Sequence, residues 1–170
     1  MKNDRTIRET SEWSVKELIN FIHEAHLHTY AAEKNVSKHY KVDSFLPSHI
    51  DFEYKKGVWT YRDSYVGFYW PPGKEIVLYK DKPCWCMSYQ GMLIGEYSEE
   101  RADQVYQFLK NCLKHTPKEK PFRGPGTYHE GGFTYKFSMK GDAYYFTGRE
   151  EIYESDKLVF FQDIMASAIF

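Results

Sequence analysis

The chain has 170 residues, a net charge of −1, 28% charged and 42% hydrophobic residues. That is the composition of one folded domain, or of two tightly fused halves, and not of a disordered chain. It leaves no basic field of the kind that phosphate-backbone binding needs, so direct nucleic-acid binding is not expected. No apolar run approaches the roughly 20 residues of a membrane span, and the charged opening M-K-N-D-R-T-I-R-E-T has no apolar centre to make it a signal peptide. The outlier is an aromatic fraction of 18%, carried by 15 Tyr and 12 Phe, side chains that favour half-buried strands. Three cysteines is an odd count, and Cys84 and Cys86 stand too close to staple distant segments. A reduced, cytoplasmic setting is the simpler expectation.

Residues 1–13 form a charged arm, and residues 14–170 read as one α+β domain. Ser14 and Glu17 make a capping box with Trp13 as a staple onto Leu18. Val15, Leu18, Ile19, Ile22 and Ala25 then follow at helical spacing to about His28, with Phe21 and the histidines beside or opposite that face. Residues 30–50 are polar and close at Pro47, which predicts a surface connection with at most a short helical turn.

Strands follow from Asp51 to Tyr54 and from Val58 to Tyr65, across a Lys55-Lys56-Gly57 turn. Alternation places Trp59, Tyr61 and Asp63 on one face. Breaks at Gly67 and Pro71-Pro72-Gly73 precede a strand from Glu75 to Tyr79. An Asp81-Lys82-Pro83 turn leads to a strand from Cys84 to Tyr89 that Gly91 ends. A second helix starts at the Ser98 cap, turns Ala102, Val105, Leu109 and Cys112 inward, and ends near His115. Thr116 to Pro121 is a polar linker. Strands are expected at Gly126–Glu130, Phe133–Met139, Ala143–Thr147, Glu150–Glu154 and Leu158–Asp163.

The two sheet regions match each other. At an offset of 74, Tyr54, Gly57, Trp59, Tyr61 and Gly67 meet Tyr128, Gly131, Phe133, Tyr135 and Gly141. At an offset of 75, Gly73, Glu75, Val77, Asp81 and Trp85 meet Gly148, Glu150, Ile152, Asp156 and Phe160. The expected architecture is therefore α+β: two helices packed on antiparallel sheet, with an internal pseudo-duplication of a helix plus a four-strand meander. The repeats span about 14–97 and 98–170. Shared glycines are expected to supply positive φ and shared aromatics to supply packing. Polar positions present in one copy need another explanation: Asp63 faces Phe137, Tyr65 faces Met139 and Tyr89 faces Ile164.

The motifs Y-R-D-S-Y-x-G at Tyr61–Gly67, G-x-E at Gly73–Glu75 and K-P-x-W-x-M-x-Y-x-G at Lys82–Gly91 resemble the core signature of an uncharacterised bacterial domain of unknown function. Phe21 to Ala32 also fits it. That family occurs alone or behind a Cro/repressor-type helix-turn-helix. The resemblance implies a sensor or partner-binding role beside a DNA-binding domain, but it assigns no catalytic residue, and here only a short charged arm precedes the first helix.

Asp63 among aromatic rings suits a ligand-orienting carboxylate in a cleft, or a general base with a raised pKa. The plainer alternatives are a turn cap, or a pair with Arg62 or a lysine at the sheet edge. Trp59, Tyr61, Arg62, Asp63, Tyr65, Glu75, Trp85 and Tyr89 form the candidate ligand-binding set, with Glu75 the more structural because Glu150 repeats it. His23, His26 and His28 read as solvated, since H-E-A-H is not a zinc-protease motif and no third ligand is evident. On a strand, Cys84 and Cys86 would share one face with Trp85 on the other, as buried thiols. Lys118 to Arg123 reads as a solvated linker. No catalytic residue, metal site or cofactor is implied.

The leading expectation is a binding module that holds a small molecule or peptide in an aromatic-lined cleft, in a regulatory setting. The alternatives are a small hydrolase or isomerase with Asp63 or Glu75 as base, and a structural protein joined as a homodimer.

Overall fold

The computed structural model describes residues 12–95 and 98–170. Most of the expected charged arm lies outside the described residues. The fold is mixed α and β, mostly sheet, and among the described residues three helices accompany one nine-stranded antiparallel sheet. The helices are α1 (Val15–His28), α2 (Lys34–Ser37) and α3 (Glu99–Leu113). The strands are β1 (Lys41–Val42), β2 (Ile50–Lys56), β3 (Trp59–Tyr65), β4 (Gly73–Tyr79), β5 (Lys82–Leu93), β6 (Thr127–Glu130), β7 (Phe133–Asp142), β8 (Tyr145–Glu154) and β9 (Lys157–Ala168).

The strand order is β1-β2-β3-β4-β5-β9-β8-β7-β6. Two meanders thus meet where β5 pairs antiparallel with β9. Tyr89 pairs with Ile164 at the middle of that seam, and Trp85↔Ala168 lies as far to one side as Leu93↔Phe160 does to the other. Each meander carries a register shift at its last hairpin, between Val77 and Leu78 and between Ile152 and Tyr153. Lys80-Asp81 and Ser155-Asp156 both have positive φ at both turn residues, the backbone twist that two-residue hairpins favour.

Capping decides where the helices begin. The Ser14 hydroxyl accepts from the Glu17 amide while Glu17 reaches back to Ser14, and the Ser98 side chain accepts from the Arg101 amide. Leu18, Phe21, Ile22 and Ala25 of α1 share a core cluster with Tyr54, Tyr61, Val77, Trp85 and Met87. Ala102, Val105, Phe108, Leu109, Cys112 and Leu113 of α3 share another with Leu93, Tyr135, Ile152 and Phe160. Met165 and Tyr145 are exposed on the other face, as an antiparallel sheet allows.

Several expectations change. Gly91 does not end β5, because the strand runs on to Leu93. A Cβ at Gly91 would stand 2.0 Å from the Phe161 carbonyl oxygen, so this glycine serves close strand approach and not a turn. Ala143–Thr147 and Glu150–Glu154 are not separate strands: β8 runs through Gly148. The turn before β5 is Lys80-Asp81, and Lys82 and Pro83 belong to the strand. The bulge also overturns the alternation at Cys84, since Cys84 and Trp85 enter the same core cluster while Cys86 is half-buried. Gly73 and Gly148 lack the positive φ expected of shared glycines. The connection after α1 is not all surface: Ala31 is buried, and besides α2, the short helical turn expected there, the segment holds β1. Phe21 and Trp13 are core residues, with Trp13 8% exposed.

Candidate functional site

Three neighbouring rows of the sheet build the floor of a pocket. One runs Asp63, Glu75, Met87, Ala166; the next runs Tyr65, Gly73, Tyr89, Ile164. The third runs Gly91, Gln162, Glu150, Phe137. Gly73 joins the first two rows. A Cβ there would stand 2.2 Å from the Tyr89 ring, so the missing side chain lets that ring lie across β4. Tyr89 Oη then donates to Asp63 Oδ1 at 2.7 Å.

Beneath and beside this pair lies a buried charged network. Glu75 and Glu150 are both 0% exposed. His26 Nε2 lies 2.9 Å from Glu75 Oε2. The Arg123 Nε and Nη2 donate to Glu150 at 3.1 and 2.6 Å, and Nη1 stands 4.0 Å from Glu75 Oε1. Tyr135 Oη donates to Glu150 Oε2 at 2.8 Å. The guanidinium also lies over the Tyr30 and Tyr89 rings, at 5.4 and 5.8 Å, within cation–π range. Burial opposes the charge on Arg123, but Glu150 more than restores it and holds the guanidinium protonated.

Asp63 differs from the paired glutamates. It is 1% exposed, and burial pushes its carboxyl well above the usual carboxylate range, with Glu75 pushing the same way. The Tyr89 hydrogen bond and Arg123 pull it down without restoring it. Burial likewise keeps the phenols of Tyr30, Tyr61 and Tyr89 protonated, and it raises Tyr65 to about 12.

The pocket over this floor has a volume of about 220 Å³. Asp63, Tyr89, Arg123, Gln162 and Tyr30 supply its polar end. Tyr65, Phe68, Pro71, Tyr106, Leu109 and Leu113 are its walls, and Asp103 and Lys110 stand on the α3 side. The loop between β3 and β4 is held against α3 by Tyr106 Oη, which donates to the Tyr69 carbonyl at 3.2 Å. Gln162 is 3% exposed, and its Nε2 has no hydrogen-bond partner among the described residues. A buried amide donor in that state costs about 1–3 kcal/mol.

Of the residues singled out in the sequence, Asp63, Tyr65 and Tyr89 line the pocket. Tyr61 and Glu75, both 0% exposed, lie in the layer behind it. Trp59 stacks on Phe21 at 5.4 Å and meets Tyr79 edge-on at 4.8 Å. Trp85 is core, and its Nε1 donates to the Ala143 carbonyl. Arg62 binds Asp51 at 2.7 Å, on the face away from Asp63. Asp63 is thus neither a turn cap nor an Arg62 partner.

Two other sequence expectations fail here. His26 is not solvated: it is 2% exposed and tied to Glu75. Arg123 is not part of a solvated linker, being 4% exposed and paired with Glu150. A lone Arg after a polar segment carries no local sign of such burial. Gln162 did carry a sign, because at the 75-residue offset it faces Met87, the same one-copy polarity that marks Asp63. Among the described residues, no three His, Cys, Asp or Glu side chains are grouped so as to hold a metal ion. No helix among them is long and apolar enough to cross a membrane.

Residues 63–169 match the model of a domain of unknown function (DUF5680). No curated protein and no solved structure matches the chain.

Proposed function

The chain belongs to the DUF5680 family, a domain of unknown function, and we propose that it is a binding module that holds a small molecule in the pocket above Asp63. The observation that carries this is Gln162. Gln162 lines the polar end of a pocket whose walls are apolar and aromatic, and its buried Nε2 has no partner among the described residues. A ligand acceptor would recover the hydrogen bond, and the rings would take the rest of the ligand, which is how small-molecule sites are built. A volume of about 220 Å³ lies below the roughly 300–1,000 Å³ of pockets for drug-sized ligands, which favours a small molecule over a peptide.

A carboxylate base is less well supported. Burial and Glu75 push Asp63 toward its protonated form, which favours giving a proton over taking one, and Glu75 lies behind the pocket lining. We take the two meanders as diverged copies of a helix-plus-meander unit. The shared positions are core and turn, and Asp63, Tyr89 and Gln162 are polar in one copy alone. A cytoplasmic, regulatory setting belongs to the same proposal.

A thermal-shift screen of metabolites tests it. A ligand at about 100 times its Kd adds about 2.7 kcal/mol, or roughly 5–10 °C for a chain of this size. The shift should vanish in Gln162→Leu while circular dichroism stays native. A screen with no hit, or a hit that Gln162→Leu leaves intact, would refute the proposal.

A further inference from the structure

The inner pocket adjoins a second, wider concavity that nothing above uses. This groove, about 820 Å³, lies between α3 and the α2–β1–β2 edge of the sheet. It shares Tyr65, Asp103, Tyr106 and Lys110 with the inner pocket, so one ligand can occupy both. The two differ in chemistry. The groove is lined by Lys34, Lys38, Lys41 and Lys110, all exposed, against one carboxylate, Asp103. The lysines that form ion pairs among the described residues are Lys55, Lys56, Lys80 and Lys114, and none of them lines the groove. This is a local basic field on a chain whose net charge is −1.

The inner end has its own pattern. The Asp63 carboxyl lines this end with its Oδ1 accepting from Tyr89 Oη, and the Gln162 amide lines it as well, its buried Nε2 without a partner among the described residues. Such an edge complements the alternating donors and acceptors of a flat heterocycle. Tyr65, Phe68 and Tyr106 are ring walls, and aromatic walls stack on such a heterocycle.

We infer that the ligand class is a nucleoside 5′-monophosphate, with its base over Asp63 and Gln162 between the aromatic walls and its phosphate on the lysine groove. The inference rests on the binding-module proposal and adds the ligand's two-part chemistry. The apolar inner pocket by itself would accept an uncharged ring, and the adjoining cationic groove is what calls for an anionic tail. Phosphate held by exposed lysines is bound through charge, so its share of the affinity must fall with salt.

The experiment titrates the full chain by calorimetry with the four common nucleosides, their 5′-monophosphates and inorganic phosphate, at 50 and 500 mM NaCl. At least one nucleoside should bind, and its monophosphate should bind tenfold or more tightly at low salt. That gain should collapse at high salt and in the Lys38→Glu/Lys41→Glu double variant, whose exposed sites leave the fold intact. Gln162→Leu should weaken nucleoside and nucleotide alike by tenfold or more. Equal binding of nucleoside and monophosphate at low salt, or a nucleotide no tighter than inorganic phosphate, overturns the inference. Silence from all eight ring compounds also overturns it. In that case a screen hit abolished by Gln162→Leu would leave the binding module standing, and an empty screen would remove both.

Discussion

Asp63 shows how burial and a neighbour set the state of one carboxyl. In the unfolded chain it would release its proton near pH 3.9. In the fold, burial and the adjacent Glu75 keep the proton on to much higher pH. The folded state therefore binds that proton more tightly than the unfolded state does. This residue's contribution to stability is full below about pH 3.9 and is lost as pH rises through the folded pKa. Asp63→Asn removes that titration and keeps an oxygen for Tyr89 Oη to donate to. The melting temperature of the variant relative to the native chain should thus rise as pH increases above about 4 and level off once the folded pKa is passed. A difference that stays constant over that range would show Asp63 ionised in the fold. Arg123 makes the complementary point: its charge survives burial because Glu150 takes two of its donors.

At the scale of elements, the glycines of the strands set how closely side chains and strands approach. Gly73 lets the Tyr89 ring cross β4, and Gly91 lets β9 close on β5. An added Cβ at Gly91 would meet the Phe161 carbonyl oxygen at 2.0 Å and Gln162 Cα at 2.6 Å. Both are backbone atoms of a paired strand and cannot rotate aside. Gly91→Ala should cost about 3 kcal/mol or more, at or above the upper end for overpacking, read from denaturant midpoints. Gly126 is the control, since an added Cβ there meets nothing within 4 Å and alanine should change stability by less than about 0.5 kcal/mol. Equal costs at the two sites would show that β5 and β9 do not approach as described. The bulges belong to this scale as well: each places two consecutive residues in the core, Cys84 with Trp85 and Val159 with Phe160.

Across the whole molecule, the β5–β9 seam makes one sheet of two meanders. The pocket depends on that seam, since Asp63 and Tyr89 come from one meander and Gln162 from the other. Pairing runs from Trp85↔Ala168 to Leu93↔Phe160 without a register shift, so the halves should unfold together. All four tryptophans, Trp13, Trp59, Trp70 and Trp85, precede residue 98; Trp59 packs within the first half, on Phe21 and Tyr79, whereas Trp85 also touches the second through Ala143 and Phe122. Ile152 is 0% exposed in the second half, and Ile152→Ala should cost about 2–5 kcal/mol. The tryptophan-fluorescence midpoint should fall with the far-UV circular dichroism midpoint. Fluorescence that ignored the substitution would mean that the meanders unfold separately.

The sequence by itself determined the local elements, because capping, alternation and turn chemistry act between residues close along the chain. The Ser14–Glu17 box, the Ser98 cap and the turns at Gly57 and Gly131 are all legible in it. So was the one-copy polarity of Asp63, Tyr65 and Tyr89, since comparing two stretches of one chain needs no structure. Only the tertiary structure decided the strand order, the pocket and the burial of His26 and Arg123. Those depend on which distant segments meet, and the Asp63 carboxyl is raised by burial and by Glu75 against the pull of Arg123, 60 residues further along the chain. The glycines illustrate the division: Gly57 is explained by its own φ of 58°, while Gly73 and Gly91 are explained by what lies across from them.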